Sequence, residues 1–343
     1  MFNFLTRGKW PFYKVLLACL LTGIFTYAIS QQFNRQKKPR SSYLPAETRN
    51  PAYRTIRLKE YKFIQPILMT EGNEDTTQFT ALRNFIVTAT QRIKESDKDF
   101  EASVYIKTYD DGNWTAINPA ATFDPGSILK LPVLIAILRK AEKNPGILDE
   151  KILFDKPHVT DIKPSIVEES LKPGTRYSVK ELLYHLIVNS DNEADYMLFH
   201  FLDKETVLKV FSDLEMSVPD PSQSSVKMNC KEVSKFLRVL YNSGYTNPRL
   251  SEFTLGLLEK SRYKDGMRKG IPDDAMLVHK FGERGYANST FQELSETGII
   301  YLGDHRLLLT IMTKGNDQKK QADFIAEITS QACAWMKSRP ANS

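Results

Sequence analysis

The chain has 343 residues, 41% hydrophobic and 26% charged, enough apolar side chains for a sizeable core and too many for a disordered tail. Three cysteines (Cys19, Cys230, Cys333) exclude a disulfide framework, a Cys230–Cys333 pair has nothing to support it, and neither they nor the five histidines show metal-site spacing. The net charge of +6 divides unevenly: residues 1–65 hold twelve Lys/Arg against two Glu, and the remainder carries −4, which argues against nucleic-acid binding.

In the leader, residues 15–30 (VLLACLLTGIFTYAIS) form a run of sixteen without a charge, close to the length of a spanning helix once Pro11 to Lys14 are added. Three readings compete. A single N-terminal membrane anchor is the most natural, a cleaved signal is an alternative through the small-x-small Thr26-Tyr27-Ala28, and Leu17-Ala18-Cys19 faintly resembles a lipoprotein site. Flanking positive charge nearly balances and does not orient the run. The expected organisation is an anchor or signal over 1–30, a basic flexible spacer over 31–65 and one globular body over 66–338.

In the body, Phe79, Leu82, Phe85, Ile86, Ala89 and Ile93 share one helical face. Residues 102–109 alternate as a strand, Asp110-Asp111-Gly112-Asn113 turns, and 114–117 returns as a second strand. A helix opens near Ser127 and runs to about Lys143. Capping boxes at Ser178–Glu181 and Asn229–Glu232 open helices to Val188 and Tyr241, with shorter helices over 192–201 and 204–214 between them. Pro248 sits in the first turn of a helix to Glu259. Strands are expected over 275–281, 298–302 and 306–313, then an amphipathic helix burying Phe324, Ile325, Ile328, Ala332 and Trp335. Two hairpin strands alone are marginal, so strands from both ends must meet. The fold class is therefore α+β: an antiparallel sheet from both ends, covered by the terminal helices, with an inserted all-helical subdomain.

Three short elements carry chemistry. Ser127 and Lys130 are three apart at a helix start, which puts their side chains on one face. A serine hydroxyl needs a base to become a nucleophile, and a lysine serves only where burial or nearby positive charge lowers its pKa. Ser190-Asp191-Asn192 lies between two helices, where capping alone would explain it. Lys280-Phe281-Gly282 lies on a predicted strand, where a lysine needs a polar destination and a glycine permits close approach.

In this order and spacing the three elements resemble the penicillin-recognising active-site-serine superfamily, most closely the class A β-lactamase domain, over about 75–338. The resemblance implies Ser127 as acylated nucleophile, Lys130 as general base, Ser190 as proton relay, Asn192 as holder of Lys130 and substrate, and Lys280 as the group that steers a substrate carboxylate. It also implies an oxyanion hole from the backbone N–H groups of Ser127 and Glu283, with Gly282 letting substrate lie against the strand; Arg284, beyond the strand, is the candidate for the substrate contact that Phe281 cannot make. Implied partners are a β-lactam or cell-wall peptide substrate and a membrane through the leader, with the body outside the cytoplasm or secreted. A monomer with no cofactor is expected. The chain departs from the pattern twice. Phe281 replaces the family's Thr or Ser, unless a strand bulge turns it away, and the stretch 214–229 is short and lacks the Glu-x-x-Leu-Asn that presents a deacylating base. Its only acids are Glu215 and Asp220. The expected activity is acylation at Ser127 with slow deacylation; the alternative is a catalytically weakened cell-wall-peptide or protein-binding domain of the same fold.

Overall fold

A computed structural model describes residues 53–340 apart from 73, 76, 159–169, 221, 222, 224 and 288. Its centre is a five-stranded antiparallel sheet in the order β4-β3-β9-β8-β7, from β3 (Glu101–Thr108), β4 (Trp114–Ile117), β7 (Ala275–Gly285), β8 (Gln292–Leu302) and β9 (His305–Gly315). Strands from both ends meet at the β3–β9 pair, as expected, and β7 is left as an edge. Helices α1 (Thr80–Ser96) and α9 (Gln318–Lys337) cover one face.

The two faces follow from the two-residue period of a strand. Val104 and Ile106 join Ile86, Phe324, Ile325 and Ile328, whereas Tyr105 between them joins the opposite core with Leu134, Phe236 and Leu237. A sheet covered on both sides leaves nothing for solvent, which is why β3 is buried from Ala102 to Thr108. The opposite core belongs to the helical block: α2 (Lys130–Lys143), α3 (Val179–Val188), α4 (Asn192–Phe201), α5 (Lys204–Asp213), α6 (Cys230–Tyr241) and α7 (Pro248–Glu259). Both expected capping boxes form, with the side chains of Ser178 and Asn229 accepting from the N–H of Glu181 and Glu232. A one-turn α8 (Met267–Gly270) precedes β7.

Some expectations are corrected. β1 (Tyr53–Arg57) lies inside the stretch read as spacer and pairs with β2 (Ile67–Gly72). A second small ribbon, β5 (Lys151–Phe154) with β6 (Thr175–Ser178), was not expected. β8 starts at Gln292 rather than Gly298, because its first half buries polar side chains. The membrane anchor is also corrected. Among the described residues no helix is long and apolar enough to cross a membrane, and the run 15–30 lies outside the described residues. The expectation of membrane attachment, and of a location built on it, therefore fails among the described residues. Cys230 and Cys333 are free, buried thiols in opposite cores.

Candidate active site

A single 3-10 turn, Gly126–Leu129, carries Ser127 and passes into α2 at Lys130. The helix expected at Ser127 thus begins as this tighter turn. The approach to it is pinned from three sides. The Glu293 carboxylate accepts from the N–H of Asp124, the Asp124 carboxylate accepts from the N–H of Gly126 (3.0 Å), and Ser225 Oγ donates to Asp124 (3.0 Å). Lys227 Nζ binds Glu293 at 2.6 Å. These contacts fix where Ser127 sits before any substrate arrives.

Lys130 is 2% exposed, while Ser127 keeps partial access to solvent. Lys130 Nζ lies 2.8 Å from Ser127 Oγ and 2.7 Å from Asn192 Oδ1. Burial lowers the pKa of Lys130, opposed by the carboxylates of Asp195, Asp191 and Glu283. A lysine so lowered can take a hydroxyl proton.

The Ser-Asp-Asn segment divides its labour. Asp191 is the N-cap of α4, its side chain accepting from the N–H of Ala194 at 2.9 Å. That frees its neighbours. Asn192 turns to Lys130, and Ser190 accepts from Lys280 Nζ at 2.8 Å. Ser190 holds φ at 55°, a left-handed conformation that L-residues adopt at a cost, stored here beside the reacting groups.

β7 brings in the last element. Its register with β8 is unbroken from Ala275 to Gly285, so no bulge turns Phe281 aside. Lys280 and Gly282 share the face toward Ser127, where a Cβ on Gly282 would lie 2.0 Å from Pro125 O and 2.7 Å from Ser127 N. Gly126, with φ +54°, makes the reciprocal approach, its Cβ position 2.7 Å from Glu283 N. Two glycines thus let the backbones bearing the Ser127 and Glu283 amides touch. Lys280 is fully buried, and burial together with the charge of Lys130 lowers its pKa far below the ordinary value.

Phe281 packs flat on Tyr263, centroids 3.9 Å apart and planes 8° apart. Arg284, expected at the substrate, lies with Nε 3.7 Å from Asp124 Oδ2. Glu215 is drawn away to Arg54 at 2.6 Å and Lys59 at 3.8 Å. Asp220 lines a cavity of about 250 Å³ with Leu129, Pro132, Phe199, Gln223 and Asp195.

Asp195 was not singled out from the sequence. It lies one turn beyond Asn192 on α4, and that i, i+3 spacing was the signal available. Burial raises its carboxyl pKa. Tyr263 and Glu293 were missed because distant segments bring them to the site.

The sequence model described as the beta-lactamase enzyme family matches residues 86–336, nearly the whole body. The chain belongs to that family. Among relatives, β-lactamase VEB-1 of Pseudomonas aeruginosa is 19% identical over 212 residues, covering 56% of this chain and 70% of that protein. The extended-spectrum β-lactamase PER-1 of the same organism is 22% identical over 240 residues, covering 63% and 76%. Among solved structures, a PBP-A mutant as an acyl-enzyme complex with penicillin-G superposes with a TM-score of 0.63 at 16% identity, covering 76% of this chain and 97% of that one. Within the β-lactamase family the shared feature at this identity is the fold: the sheet from both chain ends, its two covering helices and the helical block.

Proposed function

We propose that this β-lactamase family member is an active-site-serine amide hydrolase, acylated at Ser127 by β-lactams and by peptidyl amides of the D-alanyl type. The observation that carries the reading is the 2.8 Å contact between Ser127 Oγ and a buried, pKa-lowered Lys130. Neutral Lys130 takes the Ser127 proton as Oγ attacks the acyl carbon. The oxyanion is received by the N–H groups of Ser127 and Glu283, which the two glycines let converge. As the carbon–nitrogen bond breaks, Ser190 gives its proton to the departing nitrogen and is reprotonated from Lys280, 2.8 Å away, and the proton that Lys130 took from Ser127 makes good that loss, so both lysines return to their starting charge. Water then hydrolyses the Ser127 ester, its oxygen going to the acyl carbon and one of its protons to Ser127 Oγ. That second step is expected to be slow, because 214–229 has no family-type glutamate and Glu215 is engaged with Arg54.

The engagement of Glu215 also favours a second reading, a catalytically weakened domain of the same fold that binds cell-wall peptide or a protein. Intact-mass measurement separates the two. Incubation with a penicillin should add one reagent mass to the protein and none to Ser127→Ala; no adduct on folded protein at millimolar reagent would favour the binding domain.

A further inference from the structure

No step of the proposed acylation uses Asp195. Its side chain borders a cavity of about 250 Å³ between α2, α4 and α5, walled by Leu129, Pro132, Val133, Phe199 and Phe211. Leu129 belongs to the same 3-10 turn as Ser127, so the cavity lies directly behind the reacting groups. Phe199 is 37% exposed, which leaves solvent access to an aromatic wall. A cavity of about 150 Å³ lined by apolar side chains already takes up benzene. This one has room for a ring and a polar substituent.

Three ionisable side chains border the cavity: Asp195, Asp220 and Lys204. Lys204 is exposed and can carry its ammonium out to water on its flexible stem. Asp220 accepts from Gln223 Nε2 at 3.3 Å. Asp195 Oδ1 is shut off from solvent and, among the described residues, accepts no hydrogen bond. A buried carboxylate oxygen without a donor is costly, and a cation bearing N–H groups supplies both the missing bond and the missing charge. An anion would instead face two acids.

We infer that this cavity is a binding site for a small apolar cation with N–H donors, an amidinium, guanidinium or ammonium on a single ring or short alkyl body, held by Asp195. The site is coupled to the reaction next door. Asp195 is the carboxylate that most strongly keeps the proton on Lys130, ahead of Asp191 and Glu283, while Lys280 presents a like charge from β7. A cation seated on Asp195 offsets that pull, so Lys130 becomes a neutral base at lower pH. By linkage, protein with neutral Lys130 binds the cation more tightly by the same factor. The coupling rests on the acyl-enzyme reading above; the binding does not.

The test is titration of the full chain with benzamidinium, with benzamide as its uncharged isostere, read by calorimetry and thermal unfolding. Benzamidinium should raise Tm and bind at least about tenfold more tightly than benzamide, the factor expected of a hydrogen bond to a charged group. Asp195→Asn should erase that preference. With a penicillin as acylating agent, saturating benzamidinium should move the rising limb of the rate–pH profile down by about 0.7 unit, the shift of an about fivefold coupling, and should leave the profile of Asp195→Asn in place. No binding of benzamidinium up to about 10 mM, equal binding of benzamide, or a preference that survives in Asp195→Asn overturns the inference. Binding that depends on Asp195 while no penicillin adduct forms upholds the site and overturns the acyl-enzyme reading instead.

Discussion

Lys130 and Asn192 meet at 2.7 Å between Nζ and Oδ1, joining α2 to the first residue of α4. The bond holds Lys130 against Ser127 and gives its buried Nζ an acceptor. Asn192→Ala should leave that buried polar group with one acceptor fewer in a dry site, costing about 1–3 kcal/mol of stability. Because Lys130 also loses its tether, acylation of Ser127 should fall by about 10–100-fold, part of the 10²–10⁴ that a positioned base supplies. Thermal unfolding and adduct formation by intact mass check the two effects separately.

The pH dependence of acylation follows from the charge state of Lys130. Only the neutral amine accepts a proton, so the rate should climb as pH rises through the Lys130 pKa, which burial lowers below the ordinary lysine range. The carboxylate of Asp195 opposes that shift by holding the proton on Lys130. Asp195→Asn removes the charge with little change in shape, so the rising limb should move to lower pH. A rate–pH profile of the variant that superposes on the parent profile would show that Asp195 does not act on Lys130.

Ser190→Gly sets two effects against each other. Glycine adopts φ 55° freely, which should return about 1 kcal/mol of backbone strain. The lost hydroxyl takes away one of the acceptors of the buried Lys280 Nζ, Phe281 O being another, and a hydrogen bond to a charged group is worth about 1.5–3 kcal/mol. The second term is larger, so denaturant unfolding should show a net loss of about 1 kcal/mol. Acylation should fall as well, since the proposed relay to the leaving nitrogen is gone.

Gly282→Ala tests the close approach of β7 to the 3-10 turn. The added methyl would meet Pro125 O, Ser127 N and Ile128 N, all backbone, so neither side can yield by rotating a side chain. Overpacking of this kind costs about 1–3 kcal/mol. Here the displaced atoms include the Ser127 amide proposed for the oxyanion. A lowered Tm together with slower acylation is the expected result, whereas Gly285→Ala, with nothing near its Cβ position, should change neither.

What the sequence made legible depends on which forces act locally. The boxes at Ser178 and Asn229 were readable because a cap is settled within four residues. The meeting of strands from both ends followed from the need to cover an apolar hairpin. The first half of β8 was not readable, because Glu293, Ser295, Glu296 and Thr297 are buried there for the sake of distant partners. Glu293 serves Asp124 and Lys227, and Glu296 serves Met267 N and His279. Buried polar residues with remote partners look like a loop when only their neighbours in sequence are seen. β1 and β2 escaped for a related reason: each is short and, among the described residues, has only the other as sheet partner. At the site, the order of Ser127, Lys130, Ser190, Asn192 and Lys280 was visible, but the stacking of Phe281 on Tyr263 depends on a segment before α8 that no spacing rule connects to β7.

Turnover distinguishes a fast hydrolase from a slow one. An acyl-enzyme is released only when a base activates water against the Ser127 ester. Of the two acids in the short stretch, Glu215 is bound to Arg54, and Asp220 lines the cavity it shares with Asp195. A missing general base should slow deacylation by about 10²–10⁴-fold, roughly 3–5 kcal/mol in the barrier. With a chromogenic β-lactam reactive enough to acylate rapidly, we therefore expect a burst of one product equivalent per Ser127 followed by a much slower steady state. Glu215→Gln should leave the steady-state rate unchanged and cost at most about 1 kcal/mol of stability, the ordinary worth of an exposed ion pair. A high turnover number would show that another group activates the water. Accumulation of the acyl form on Asp220→Asn would then identify that group as Asp220, acting on a water held in the cavity it shares with Asp195.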